Sequence, residues 1–147
     1  MTRSTNDSPP TTTTSKEPTM SINLTAQQTS TLRTAAYGAV SLLSAASPKP
    51  GKSAAAGTAA LYTATGPIGH VLAAKSRDIK LEGKTVAQLA DHVLPALTES
   101  VTLLAAQDKT EADNFRDIVL VAVEAAQIQP TPTLTEMARK ITAALNA

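Results

Sequence analysis

"SPKPGKSAAAG", residues 47–57, decides between two folds. Its Gly51-Lys52-Ser53 is the closing half of a phosphate-binding loop, which would imply an α/β nucleotide-binding domain. That loop opens with a glycine separated from Gly51 by four residues, and the matching position is Ala46. Pro48 and Pro50 fall inside the loop, and proline has no N–H to offer a phosphate. The loop should also follow a buried strand. The preceding "TLRTAAYGAVSLLSAA" instead repeats its apolar residues at helical spacing. The stretch therefore reads as a turn between two helices, with Ser53 as the N-cap of the second. One anion-binding candidate survives: Lys49, Lys52 and Ser53, grouped at a helix N-terminus.

Working outward, the helical pattern continues. A first helix is expected from about Thr25 to Ala46, with Leu32, Ala36, Ala39, Val40 and Leu43 facing inward and Arg33 on the wet side with Gln27 and Gln28. Residues 53–74 carry no Asp, Glu, Lys or Arg. Their length would suffice for a membrane span. Gly66-Pro67, His70, several threonines and an alanine-dominated apolar content argue against one. The segment reads as a buried hairpin or kinked helix, broken at Thr65 or Gly66 and restarted by Pro67. Gly57, Ala60 and Ala64 would let a neighbouring helix come close.

"KSRDIKLEGKT", residues 75–85, is a charged loop. A helix then starts at Thr85, with Gln88 at capping-box spacing. Val86, Leu89, Val93, Leu97, Val101 and Leu104 form its stripe, and Pro95 should kink or break it. The next helix is expected near Thr110, with Asp113 completing an acidic box and Phe115, Ile118, Ala122 and Ala126 inward. Thr133 and Glu136 mark the last helix, which carries Leu134, Met137, Ile141 and Leu145. The fold class is all-α: a compact bundle of about four to six helices over residues 23–147. Residues 1–22 are a Thr/Ser/Pro-rich tail with no apolar period, expected to be disordered. Arg3 is followed by no apolar run, so the tail is not a signal peptide. Two readings stay open: Met20 is the true start, or the tail is a flexible arm.

Composition narrows the function. Net charge is +1, and Tyr37, Tyr62 and Phe115 are the only aromatics, so neither a basic field nor a stacking platform for nucleic acid exists. There is no cysteine, which excludes thiol chemistry and fits a cytoplasmic location. His70 and His92 lie in different elements, and neither has a second ligand one helical turn away. No metal or other cofactor is expected. Asp113, Asp117 and Glu124 share a helix face, but Arg116 and Lys109 stand at pairing distance from Asp113. No nucleophile motif is present. The chain reads as non-enzymatic.

Alanine supplies 27 of the apolar residues, against 15 Leu, 8 Val and 6 Ile. Alanine buries little area, so burial per residue is thin and a partner could add to it. Charge is divided along the chain. Residues 48–84 hold Lys49, Lys52, Lys75, Arg77, Lys80 and Lys84 against Asp78 and Glu82. Residues 85–128 hold Lys109 and Arg116 against seven acids. Two accounts stay open: the halves complement each other within one molecule, or the molecule associates head to tail or with another charged partner.

"HVLPALTESVTLLAAQ" (92–107) followed by "NFRDIVLVAVEAAQ" (114–127) resembles small all-helical actinobacterial proteins of unassigned function, over about residues 24–146. In outline, the ending "LTEMARKITAAL" is similar to tellurite-resistance-type helical domains. Those carry Asp-Gly in the loop before it; this chain has "IQPTPTLTE", with Glu136 at the acidic position and no Asp-Gly. No functional residue is carried over. The expected function is binding of another protein, or of a second copy. The alternative is a small-molecule or lipid binder, with residues 53–74 as the wall and His70 as a polar contact.

Overall fold

The computed structural model describes residues 23–73 and 85–147. The tail at 1–22 and nearly all of the charged loop at 75–85 lie outside these residues. Six helices are described, with no strand among the described residues: α1 (Ala26–Ala46), α2 (Pro50–Tyr62), α3 (Gly66–Ala73), α4 (Val86–Gln107), α5 (Lys109–Ala126) and α6 (Pro132–Leu145). They pack around one core, and the all-α bundle expected from the sequence is what is seen.

α1 starts where its cap dictates. Thr25 Oγ1 accepts from Gln28 N at 3.0 Å, and Gln28 Oε1 accepts from Thr25 N at 3.0 Å. This reciprocal box satisfies two orphan donors of the first turn. The helix ends because Ser47 turns to extended backbone, while its N–H still reaches Ser44 O.

The 47–57 stretch is an interhelix turn. Pro50 takes the first position of α2, which suits its fixed φ and missing N–H. Lys49, not Ser53, is the N-cap residue. Ser53 lies one turn inside the helix and is fully buried. Its hydroxyl donates to Ser47 Oγ at 2.7 Å, and Lys49 N donates to the same oxygen at 3.0 Å. The N–H groups of Lys49 and Ser53 are thus spent inside the turn, the latter on Lys49 O. The turn also follows a helix, α1, and not the buried strand that a phosphate loop requires.

Two glycines make close approaches. Gly57 is pressed between α1 and α5: a Cβ there would lie 2.8 Å from Val40 Cγ1 and 3.3 Å from the Ala126 Cβ. Gly66 opens α3 at φ +83°, in the left-handed region, and faces Asn114. α2 ends at Tyr62 and α3 begins at Gly66, so the expected break within 53–74 is present.

Arg33 departs from expectation. The helical spacing puts it on the wet side of α1, yet it is 6% exposed. Its Nε donates to Val71 O at 2.9 Å, and Tyr37 OH donates to Leu72 O at 2.6 Å. One turn of α1 thus serves the orphan carbonyls at the end of α3, where a cation also suits the helix dipole. Burial pushes the Tyr37 phenol up to about 12, with Tyr62 beside it as the second cause.

In the second half, α4 runs through Pro95 as a single helix rather than breaking. Its cap is Thr85, as expected, accepting from Gln88 N at 3.1 Å. α5 is capped by Asp108, whose Oδ1 accepts from Thr110 N at 2.9 Å, and not by Thr110. α6 is capped by Thr131, with Pro132 in its first turn, and not by Thr133. In both cases a residue two positions earlier wins, because a capping residue must itself lie outside the helix in extended backbone. The C-terminus of α6 is held by Thr98, donating to Ala144 O at 2.7 Å, and by Arg116, donating to Leu145 O at 3.0 Å.

Candidate functional site

α1 and α4 are the most extensively packed pair with α1 in the bundle. Their direction follows from Asn23 and Gln107. Asn23 N donates to Gln107 Oε1, and Gln107 Nε2 donates to Asn23 O, both at 2.7 Å. The start of α1 therefore lies beside the end of α4, and the two helices run antiparallel. Each turns its deeply buried residues toward the core, Leu32, Ala35 and Ala36 on α1 and Val93 and Leu97 on α4.

Above this seam lies an open groove of ≈ 720 Å³. α1 lines it with Ala26, Gln27, Ser30, Thr31 and Thr34; α4 lines it with Asp91, His92, Pro95, Ala96 and Glu99. The two stripes have the same spacing (first residue, then one, four, five and eight further on), which is one face of an α-helix. Ala26, Ser30 and Ala96 are the small side chains of the lining. Asp91 and Glu99 are exposed, and no Lys or Arg lines the groove. Pro95 adds to this character. It has no N–H to give the Asp91 carbonyl, so that acceptor is released from the helix ladder on the groove wall. The groove offers carboxylates and a carbonyl, and it suits a donor-rich, cationic segment.

Lys49 and Lys52 are exposed, while the Ser53 hydroxyl is turned into the core and held by Ser47. The structure therefore separates the three residues of the anion candidate. His70 and His92 are both exposed and sit on α3 and α4. Among the described residues, no group of three or more His, Asp or Glu is placed to hold a metal ion. Asp113 pairs with Arg116, and Glu136 pairs with Arg139. The hydrogen bond from Arg139 holds the Glu136 carboxyl below its usual range. Glu111 behaves oppositely. Burial raises its carboxyl above the usual range, with the Asp108 charge second, and its Oε1 is shielded with no hydrogen bond.

The charge-free 53–74 segment spends its larger side chains on the core: Leu61, Ile68 and Leu72 are fully buried. A cleft of ≈ 210 Å³ opens at its middle, between Ala60, Thr63, Ala64 and Thr65 and the α5 residues Asn114, Asp117, Ile118 and Val121. Ligand pockets usually run from about 300 Å³ upward. His70 does not line this cleft. No helix among the described residues is long and apolar enough to cross a membrane.

No protein-family model matches the chain, and no curated protein or solved structure matches it significantly. The groove was not foreseen from the sequence. Its signal was there: two polar stripes of equal spacing, on helices whose opposite faces are apolar.

Proposed function

We propose that this chain is a non-enzymatic helical protein of the cytoplasm that acts by binding a segment of another polypeptide in the groove between α1 and α4. One observation carries the reading: two stripes of matched spacing, small and polar on α1 and bearing Asp91 and Glu99 on α4, line an open channel free of Lys and Arg. A helix or extended segment of a partner could lie along it, with basic side chains meeting Asp91, Glu99 and the Asp91 carbonyl. The absence of cysteine supports the location. The small-molecule alternative, with residues 53–74 as the wall, has the ≈ 210 Å³ cleft in its favour.

The test is site-specific photocrosslinking in the native cell. A photoreactive residue replaces Gln27 on the groove lip or, as a control, Thr135 on the outer side of α6. Both positions are exposed. The expected result is a discrete protein adduct from Gln27 that is absent from Thr135. Equal labelling at both positions, or none at Gln27, overturns the reading.

A further inference from the structure

The groove asks for a cationic, preformed segment, and the chain itself presents one. Pro48, Lys49, Pro50, Gly51 and Lys52 are all exposed at the corner between α1 and α2. A Cβ added to Gly51 would meet nothing within 4 Å, so the corner stands clear of the rest of the bundle. Two prolines fix φ at the tip, and Ser47 pins its base through Lys49 N and the Ser53 hydroxyl. Such a segment loses little conformational freedom on docking. Its lysines also lack internal partners of opposite charge on their own half, because residues 23–73 contain no Asp or Glu.

Corner and groove cannot serve each other within one molecule. The groove occupies the first third of α1, ending at Thr34, and the corner begins beyond Ala46. Twelve residues of helix separate them, about 18 Å at 1.5 Å per residue. We infer that the groove's occupant is the Lys49–Lys52 corner of a second copy, so that molecules associate head to tail through one repeated contact. This rests on the groove reading above and names its partner. The contact is heterologous: two different patches meet, and each copy keeps one patch of each kind unused. Copies therefore add in a row or close into a ring.

The experiment uses the full-length chain and two charge-reversal variants, K49E/K52E and D91K/E99K. All four residues are exposed, and circular dichroism verifies that each variant keeps the bundle. Sedimentation velocity over a concentration series at low salt reads the mass. The wild-type chain is expected to form concentration-dependent dimers and larger species that weaken in 0.5 M salt. Each variant alone should associate about tenfold more weakly or worse. Mixing the two should restore association, because the intact groove of one meets the intact corner of the other, and the reversed corner of the first meets the reversed groove of the second. Both contacts pair opposite charges, so the mixture should grow as an alternating row. Combining all four reversals in one chain should restore growth.

A wild-type chain that stays monomeric throughout overturns the inference, and so do variants that associate as the wild type does. The photoreactive Gln27 chain separates the two proposals. An adduct of twice the chain mass, cross-linked at residues 48–52, supports the second copy. An adduct only with a different protein overturns the second copy and leaves the groove reading standing. No adduct overturns both.

Discussion

The two halves of this bundle are built from different materials. Residues 23–73 contain no carboxylate side chain and lean on alanine, glycine and serine; residues 85–147 carry every described Asp and Glu and use larger apolar stripes. In the first half, helices approach closely and settle their polar ends inside the protein: Ser53 on Ser47, Arg33 on Val71 O, Tyr37 on Leu72 O. In the second half, α5 and α6 keep an apolar face inward and a charged face outward, with Asp113–Arg116 and Glu136–Arg139 as surface pairs. The difference teaches that a low-hydrophobicity chain can reach a sealed core in two ways. One is to remove side-chain volume between helices, and the other is to concentrate what volume there is on a stripe.

The sharpest way to break this comparison is Phe115→Ala. Phe115 is fully buried on α5 and is the largest side chain of the core. Its truncation should cost about 3–5 kcal/mol in urea unfolding. A loss below about 1 kcal/mol would mean that the second half does not depend on its large side chains. Next is Arg33→Ala. The hydrogen bond from a charged donor to Val71 O is lost and a buried space is opened, at about 1.5–3 kcal/mol. If Arg33 were merely a surface residue, the cost would be within ~0.5 kcal/mol.

The first half should fail by excess where the second fails by deficit. Gly57→Val drives methyl groups into Val40 and Ala126, and about 1–3 kcal/mol of overpacking is expected despite the gain in helix propensity over glycine. Pairing it with Val40→Ala should recover much of that loss, since the smaller residue yields the space. Thermal melts of the two single variants and the double variant read the coupling. A double variant that simply sums the two losses would place the strain elsewhere.

Much of this fold was legible because apolar periodicity survives single-residue ambiguity. Helix spans, the break within 53–74 and the inward residues of α5 follow from spacing alone. Cap positions were harder. Thr110 and Thr133 look like caps, but Asp108 and Thr131 lie where the backbone is still extended. Arg33 was misread because local pattern cannot show that the end of α3 folds back over α1. The anion candidate shows a similar limit: Lys49, Lys52 and Ser53 are neighbours in sequence, yet α2 turns the serine inward and leaves the lysines out. The groove needed tertiary structure, since neither stripe is a motif until its partner helix is placed.

The smallest expected effect concerns pH. Residues 23–73 have no carboxylate to titrate, so the carboxylate response among the described residues should sit in α4–α6. Carboxyl-carbon NMR should show Glu111 protonating above the ordinary glutamate range and Glu136 below it. Glu136 has its folded pKa lowered, so its contribution is present above the unfolded value and fades as pH falls through the folded one. Glu111 has its folded pKa raised, so its contribution is fullest below the unfolded value and fades as pH rises through the folded one. Arg139→Ala should return Glu136 to the ordinary range and leave Glu111 unchanged. Movement of both together would show that the pair is not local.

The clasp between Asn23 and Gln107 has an engineering meaning. The Gln107 amide grips both backbone groups of Asn23, so a fluorophore or fusion attached upstream departs from a fixed doorway at the corner joining α4 and α5. That doorway lies at the opposite pole of α1 from Lys49, about 30 Å away along its 21 residues. A donor dye there and an acceptor on residue 52 would form a calibrated ruler. Any shortening seen on mixing separately labelled copies would report the neighbour rather than a change within the molecule.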